Sequence, residues 1–281
     1  MATLTTRTPA AGLSPLPPAS GKAGLRGTLA SEWTKLRSVR STYWTLFALI
    51  VVGVGLDALA SWAFDNSVTQ HGRVVGPGFD ATRHSLVVFG IFGPLVLMVL
   101  GVMTITAEYS TGMIRTSLTT MPRRGVVYGA KLLVFTGIAV VVSLITAFIA
   151  FFLGQALMSG TGHAATLSQP NVLRAIIGVA LYVVLVALMG YGLGAIIRHT
   201  AGAIASVVGL AFVLPLVTQA LPQDWINDIT RWLPSSAGDA ILTTFGSQPN
   251  EFSAWGQLAV TAGYAVILLI IGAVLSRKRD A

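Results

Sequence analysis

The chain has 281 residues, of which 54% are hydrophobic and only 10% are charged. Soluble globular proteins carry about 25% charged residues, so this composition excludes an ordinary soluble domain and indicates a membrane protein. Because cysteine is absent, disulfides and thiolate metal sites are excluded. The net charge is +8, and what it indicates depends on where the basic residues lie along the chain.

The N-terminal region precedes the first long apolar stretch. Residues 1–24 are rich in Pro, Ala, Thr and Ser without periodicity, which is typical of a disordered cytoplasmic tail. Residues 25–42 place apolar side chains at helical spacing, with Trp33 at mid-stripe and basic residues between them. This pattern predicts an interfacial connecting helix. The alternative is an ordinary basic flank of the first span.

The rest of the chain, residues 43–281, is predicted to form a six-helix transmembrane domain. Six stretches are long and apolar enough to cross a hydrocarbon core of about 30 Å as helices. They cover residues 43–64, 86–107, 132–153, 175–197, 201–220 and 256–275. Their apolar residues run continuously, whereas barrel strands alternate, so an all-α membrane fold is predicted. Small residues at positions 190, 192, 194, 201, 205 and 209 predict close packing of the fourth span on the fifth.

The charged residues divide unevenly between the two sides of this topology. The side that carries both termini holds 14 basic and 3 acidic residues, and the other side holds 4 basic and 6 acidic residues. By the positive-inside rule, both termini are cytoplasmic in a multi-pass protein of the plasma membrane. The basic excess therefore reports topology, and a nucleic-acid partner is not expected.

The segment between the second and third spans, residues 107–124, is the most informative connection. It combines a charged start, a glycine, a short amphipathic run and a Pro-Arg-Arg end. A short helix there would present an apolar and charged face to a cytoplasmic partner. The alternative is that its arginines only enforce topology.

This segment resembles the first cytoplasmic loop of ABC-2 type transporter permeases, the membrane subunits of ATP-driven exporters. The matching positions are Glu108, Tyr109, Gly112, Arg115, Leu118, Pro122, Arg123, Arg124 and Lys131. The run Glu32-Trp33-Thr34-Lys35-Leu36-Arg37-Ser38 is similar to the helix that precedes the first span in actinobacterial members. The resemblance extends from about residue 25 to the end of the chain.

The resemblance implies a cytoplasmic coupling helix over residues 108–120, docked on separate nucleotide-binding ATPase subunits. The residues expected at this contact are Glu108, Tyr109, Gly112, Met113, Arg115, Arg123 and Arg124. It also implies a substrate path at an interface with a second permease copy, identical or related. ATP and Mg²⁺ would bind the partner ATPase and no cofactor would bind this chain, because its only Gly-Lys pair, Gly21-Lys22, lacks the Walker A pattern.

The segment between the fifth and sixth spans, residues 221–255, is predicted to hold an outer helix. Trp225, Ile229, Trp232 and Leu233 follow helical spacing, which indicates an interfacial or re-entrant segment. A cap on the exit route and simple membrane anchoring both remain open.

Few residues suggest chemistry inside the membrane. Asp57 is the only acidic residue well inside a span, and we expect a structural or solvated role, with substrate contact as the alternative. Gln155 and Gln219, near outer span ends, are weaker candidates for the substrate path. The HExxH and GxSxG patterns do not occur, so no catalytic or metal site is predicted and the chain is not expected to be an enzyme. A stand-alone secondary transporter or channel is the alternative function, and an intramembrane enzyme ranks last.

Overall fold

A computed structural model describes residues 24–112, 124–218, 229–245 and 252–278. Every regular element in these ranges is helical. The helices are α1 (Leu25–Ser38), α2 (Arg40–Thr69), α3 (Ala81–His84), α4 (Val87–Ser110), α5 (Arg124–Leu157), α6 (Val172–Ile197), α7 (Thr200–Val208), α8 (Leu214–Thr218), α9 (Pro234–Leu242) and α10 (Ala254–Lys278). Short 3₁₀ and π turns, Ser159–Thr161 and Gly209–Val213, interrupt this series.

Six of the helical segments are long and apolar enough to cross a membrane, so the prediction of six spans is confirmed. The spans are Arg40–Thr69, Ala81–Ser110, Arg124–Leu157, Val172–Ile197, Thr200–Thr218 and Ala254–Lys278. Most extend beyond the predicted bounds, because the helices continue past the apolar run into polar ends. The chain is therefore a multi-pass membrane protein.

The helix predicted over residues 25–42 is shorter in the structure. It ends at Ser38, and Val39 adopts an extended conformation before α2 begins at Arg40. The first three residues of the first span were thus wrongly assigned to the preceding helix. Thr28, Glu32 and Leu36 form the buried face of α1, which packs against α5, while Trp33 stays half exposed.

The fourth span, α6, is the centre of the bundle. In its most apolar window, 67% of the residues are buried, against 17% for the fifth span. It packs mainly on α4 and α10, and further on α5, α7 and α9. A single helix can be buried to this extent only when neighbouring helices cover all its sides.

Glycines set the closest of these contacts. A Cβ added at Gly190 would lie 2.7 Å from the carbonyl oxygen of Met98, and one at Gly101 would lie 2.5 Å from that of Ala187. At Gly192 the added atom would meet Leu268 of α10 instead. These glycines therefore join α6 to the second and sixth spans, and the prediction that they pack on the fifth span was wrong.

The fifth span is not a continuous α-helix. Leu214 donates its backbone N–H to the carbonyl of Gly209, which is a π-helical step of five residues. Pro215 follows directly and has no N–H for the carbonyl of Ala211, so regular α-helical bonding cannot continue there.

Candidate functional site

Four charged side chains meet where the loop between the second and third spans leaves the bundle, and we call this end of the bundle the loop end. Lys131 Nζ lies 2.5 Å from Glu32 Oε2 and 2.8 Å from Glu108 Oε1. Lys35 Nζ lies 2.8 Å from Glu32 Oε1 and 2.9 Å from Glu108 Oε1. Positive and negative groups therefore alternate around a closed ring, which we call the charge square.

Three helices contribute to the charge square. Glu32 and Lys35 stand one turn apart on α1, Glu108 is in the last turn of α4, and Lys131 is two turns into α5. The packing of α1, α4 and α5 therefore brings these four ionisable side chains into contact with one another. The ring is neutral overall, and this neutrality is what allows it to be buried.

The corners of the square differ in their contact with solvent. The side chains of Glu32, Glu108 and Lys131 are only 2%, 7% and 5% exposed, whereas that of Lys35 is 31% exposed. Burial by itself lowers the pKa of Lys35, but its hydrogen bonds to Glu32 and Glu108 outweigh burial and raise that pKa above 10.5. Lys35 is therefore the charged corner that faces solvent.

The two carboxylates are bound unequally. Glu32 uses both oxygens, one for each lysine, whereas Glu108 accepts both lysines on Oε1. Glu108 Oε2 is buried and has no hydrogen-bond partner among the described residues. A substitution that removes one acceptor oxygen therefore has different consequences at the two positions.

Tyr109, the neighbour of Glu108, connects α4 to the other half of the bundle. The guanidinium carbon of Arg198 lies 4.7 Å from the centre of the Tyr109 ring, a cation–π contact. Arg198 ends α6 in a left-handed conformation and also donates to the carbonyl of Leu275 in α10, at 3.5 Å. The last turn of α4 therefore has side-chain links to α1 and α5 through Glu108, and to α6 and α10 through Tyr109 and Arg198.

Two further tyrosines fasten the same end of the bundle. The hydroxyl of Tyr191 in α6 donates to the carbonyl of Tyr128 in α5, and the hydroxyl of Tyr128 donates to that of Leu269 in α10, each at 3.1 Å. The two rings meet edge to face. The helices around the charge square are thus held to one another at several points.

The residues expected at the ATPase contact occupy different environments. Glu108 is buried in the charge square, Tyr109 is half buried, and Gly112 lies in an exposed turn with a φ of 69°, where glycine is favoured. Glu108 and Tyr109 belong to α4, which ends at Ser110, and residues 113–120 of the predicted coupling helix lie outside the described residues. Arg124 is the first residue of α5. Met113, Arg115 and Arg123 lie outside the described residues.

Asp57 lies in the middle of α2 and is fully buried. Its carboxylate accepts the backbone N–H groups of Val88 and Phe89, both at 2.9 Å. These N–H groups belong to the first turn of α4, where a helix has no internal acceptors. Asp57 therefore performs the function of an N-cap from a neighbouring helix.

Gln155 is buried where α5 approaches α3, and its side chain is fully used. Its Nε2 donates to the carbonyl of Ala81 and to Ser85 Oγ, both at 3.0 Å, and its Oε1 accepts the N–H of Ala165 at 2.7 Å. This arrangement joins three segments of the chain and assigns Gln155 a structural role. Gln219 lies outside the described residues.

At the opposite end of the bundle, α3 and α9 are joined by polar contacts. Asp80 caps α3 through the N–H of Arg83 and accepts the N–H and hydroxyl of Thr244, at 2.6 and 2.8 Å. Arg83 also pairs with Asp239, at 3.0 Å, with both side chains largely exposed. Of the predicted outer segment, Trp225 lies outside the described residues, and Trp232 is half exposed against Phe252.

The sequence did not indicate that Glu32 and Lys131 are partners. Both occur in segments that carry the family resemblance, but they are 99 residues apart. The available signal was that Lys131 is a charged residue inside an otherwise apolar helical run, since such a charge needs an oppositely charged neighbour when it is buried.

The comparison with known proteins gives a family. The family model described as ABC-2 family transporter protein matches residues 28–218, about two thirds of the chain. This match spans the first five membrane-spanning segments and all four residues of the charge square. No curated protein matches the chain significantly. The chain therefore belongs to the ABC-2 family of transporter proteins and is a permease of an ABC-type transporter.

Proposed function

We propose that this permease works with separate ATPase subunits in an ATP-driven exporter of the plasma membrane. The loop end and both termini face the cytoplasm, and residues 111–123 receive the ATPase. ATP and Mg²⁺ bind to the ATPase, and this chain provides the path through the membrane. Family membership and the predicted excess of basic residues on this side support the assignment.

The observation that carries this proposal is the attachment of the loop to the bundle. The loop leaves α4 after Ser110, next to Glu108 and Tyr109, and enters α5 two turns before Lys131. Glu108 contacts α1 and α5, while Tyr109 contacts Arg198 at the end of α6. A displacement of the loop would therefore act on most of the spans at once, as a rigid-body transition requires.

Loop substitutions test the coupling. We expect Arg115→Ala and Met113→Ala to reduce co-purification of the partner ATPase, or to leave ATP hydrolysis without response to the permease. Arg73→Ala, in an exposed segment at the opposite end, is the matched control. Full association and hydrolysis in both loop variants would contradict this docking site.

Labelling tests the orientation. The chain contains no cysteine, so a single introduced thiol can be followed in the whole protein. Ser117→Cys should react only from the cytoplasm and Ser236→Cys only from outside. The reverse pattern would contradict the orientation and also the site of ATPase docking.

We also propose that a second permease copy packs against the fifth span. Ala201 and Ala205 are exposed on α7, and an added Cβ at Gly209 would meet no described atom within 4 Å. Small residues at this spacing let two membrane helices approach closely. Ala205→Cys should therefore give an oxidised dimer, whereas Leu133→Cys, on an exposed face of α5, should not. Dimers from the second variant alone would place the interface elsewhere.

A further inference from the structure

We propose that the charge square is a rigid joint that makes α1, the end of α4 and the start of α5 move as one body during ATP-driven coupling. In this proposal, which rests on the proposed function, Glu32 and Lys131 are positioning residues. Neither belongs to the loop that receives the ATPase. They act through Glu108, whose position relative to α1 and α5 they fix.

The first support is the closed arrangement of the four contacts. Each lysine bridges both carboxylates, so no two of the residues form an independent pair. Moving Glu108 relative to α1 stretches its bond to Lys35, and moving it relative to α5 stretches its bond to Lys131. A ring of this kind resists displacement in more directions than a single ion pair does.

The second support is burial. Three of the four side chains are almost inaccessible to solvent, so water cannot replace a broken contact at low cost. The exposed pair between Arg83 and Asp239, at the opposite end, can exchange its partner for water easily. When the loop is displaced during coupling, the contacts of the charge square should therefore persist while exposed ion pairs break.

The third support is the difference between the two carboxylates. Both oxygens of Glu32 face a lysine, whereas Oε2 of Glu108 has no partner among the described residues. In Glu32→Gln, one lysine must face an amide NH₂ group, which is also a donor. In Glu108→Gln, the amide oxygen can still accept both lysines while the NH₂ group takes the unpartnered position. Two substitutions with the same change of charge thus have unequal consequences.

The alternation of charge gives the main test. The exchange Glu32→Lys with Lys131→Glu keeps positions 32 and 131 oppositely charged. It places like charges at positions 32 and 35 and at positions 108 and 131, so two of the four contacts of the square become repulsive. Inverting all four residues, by Glu32→Lys, Lys35→Glu, Glu108→Lys and Lys131→Glu, keeps every edge attractive. A joint that depends on the whole square is restored by the complete inversion and not by the exchange. Two independent ion pairs would be restored by the exchange as well.

The readout is a distance between two helices of the joint. Spin labels are attached in the cysteine-free chain at Ser38→Cys on α1 and Ala107→Cys on α4, both at exposed positions. In the complete transporter, we expect the same narrow distance distribution before and after addition of ATP and vanadate. The exchanged protein should show a broad or shifted distribution, and the fully inverted protein should approach the native one. Arg83→Asp with Asp239→Arg is the control and should change nothing.

Two results would overturn the proposal. One is a native distance between positions 38 and 107 that shifts with ATP and vanadate, because the helices would then move separately. The other is a pair exchange that leaves the distance as narrow as the native one. If the native chain binds no ATPase, the proposed function is contradicted. The widths of the spin-label distance distributions in the permease alone then still test whether the charge square holds α1 and α4 in a fixed relative position.

A second measurement separates positioning from a purely structural role. Glu32→Gln should lower the yield of folded protein more than Glu108→Gln does. In the Glu32→Gln protein that does fold, ATPase binding should remain, because Glu32 lies outside the loop, but the stimulation of ATP hydrolysis by the permease should be lost. Glu108→Gln, which keeps an acceptor for both lysines, should retain more of that stimulation. Equal yields of the two variants, together with native stimulation in Glu32→Gln, would contradict the proposal.

Discussion

The guanidinium of Arg198 lies over the ring of Tyr109, 4.7 Å from its centre, and links the end of the fourth span to the end of the second. The interaction depends on the aromatic ring and not on its hydroxyl, because the ring face carries the negative potential. Tyr109→Ala should therefore cost about 0.5–2 kcal/mol of stability. Tyr109→Phe should be close to native. Unfolding by SDS in mixed micelles measures both, and equal losses would show that the hydroxyl is what matters.

The two lysines of the charge square should differ in their contribution to stability. Removing buried Lys131 leaves two buried carboxylates with one cation, and breaking a buried pair in this way costs about 3–5 kcal/mol. Lys35 is partly exposed, so solvent screening reduces its contribution to about 1 kcal/mol. We expect Lys131→Met to unfold at clearly lower SDS than Lys35→Met. If Lys35→Met instead unfolded at lower SDS than Lys131→Met, the buried lysine would not be the one that contributes more to stability.

Alkaline pH should weaken the square through Lys35. Its pKa is raised in the folded protein, so its contribution is fully present below the usual value of 10.5 and is lost as the pH rises through the raised value. Stability of the native chain should hence decline above that pH, with a smaller decline in Lys35→Met. The pH dependence of SDS unfolding measures this difference. Identical profiles for the two proteins would contradict the assignment to Lys35.

Asp57 is predicted to stabilise the second span and not to bind substrate. Asp57→Ala leaves two N–H groups of α4 without their acceptors, at about 1–3 kcal/mol for each buried group. Asp57→Asn retains one acceptor oxygen and should lie between this variant and the native protein. The yield of folded protein from membranes measures the effect. An alanine variant with native yield but altered transport would instead support substrate contact.

Gly190 should be intolerant of even a methyl group. An added Cβ would lie 2.7 Å from the backbone oxygen of Met98, so α4 and α6 would have to separate. Overpacking of this kind costs about 1–3 kcal/mol. Gly137→Ala is the control, because an added Cβ there meets no described atom within 4 Å. Equal stability of the two variants would show that the helices can adjust freely.

The outcome for the glycines shows what periodicity in a sequence can predict. The small residues at positions 190 and 194 correctly indicated a close helix contact, but the helix they contact is α4 and not the fifth span. Helical periodicity defines which residues share a face of their own helix. It contains no information about which neighbour covers that face, and in lipid apolar surfaces do not favour one neighbour over another.

The candidate site shows the same limit. Glu108 and Tyr109 were selected through the family resemblance, and both lie in the last turn of α4, next to the loop. The burial of Glu108, and its contacts with residues 73 positions before it and 23 after it, were not predicted. Contacts over such separations depend on how three helices pack together.

The sequence by itself determined that the chain crosses the membrane six times, because lipid requires continuous apolar helices of sufficient length. Its charges predicted the orientation, since basic residues collect on one side. Only the tertiary structure decided that Glu32, Lys35, Glu108 and Lys131 form one neutral ring and that Asp57 caps a neighbouring helix. The physical reason is that each buried charge requires a partner of opposite sign or hydrogen-bond donors, and only the packing of the helices determines which ones come within reach.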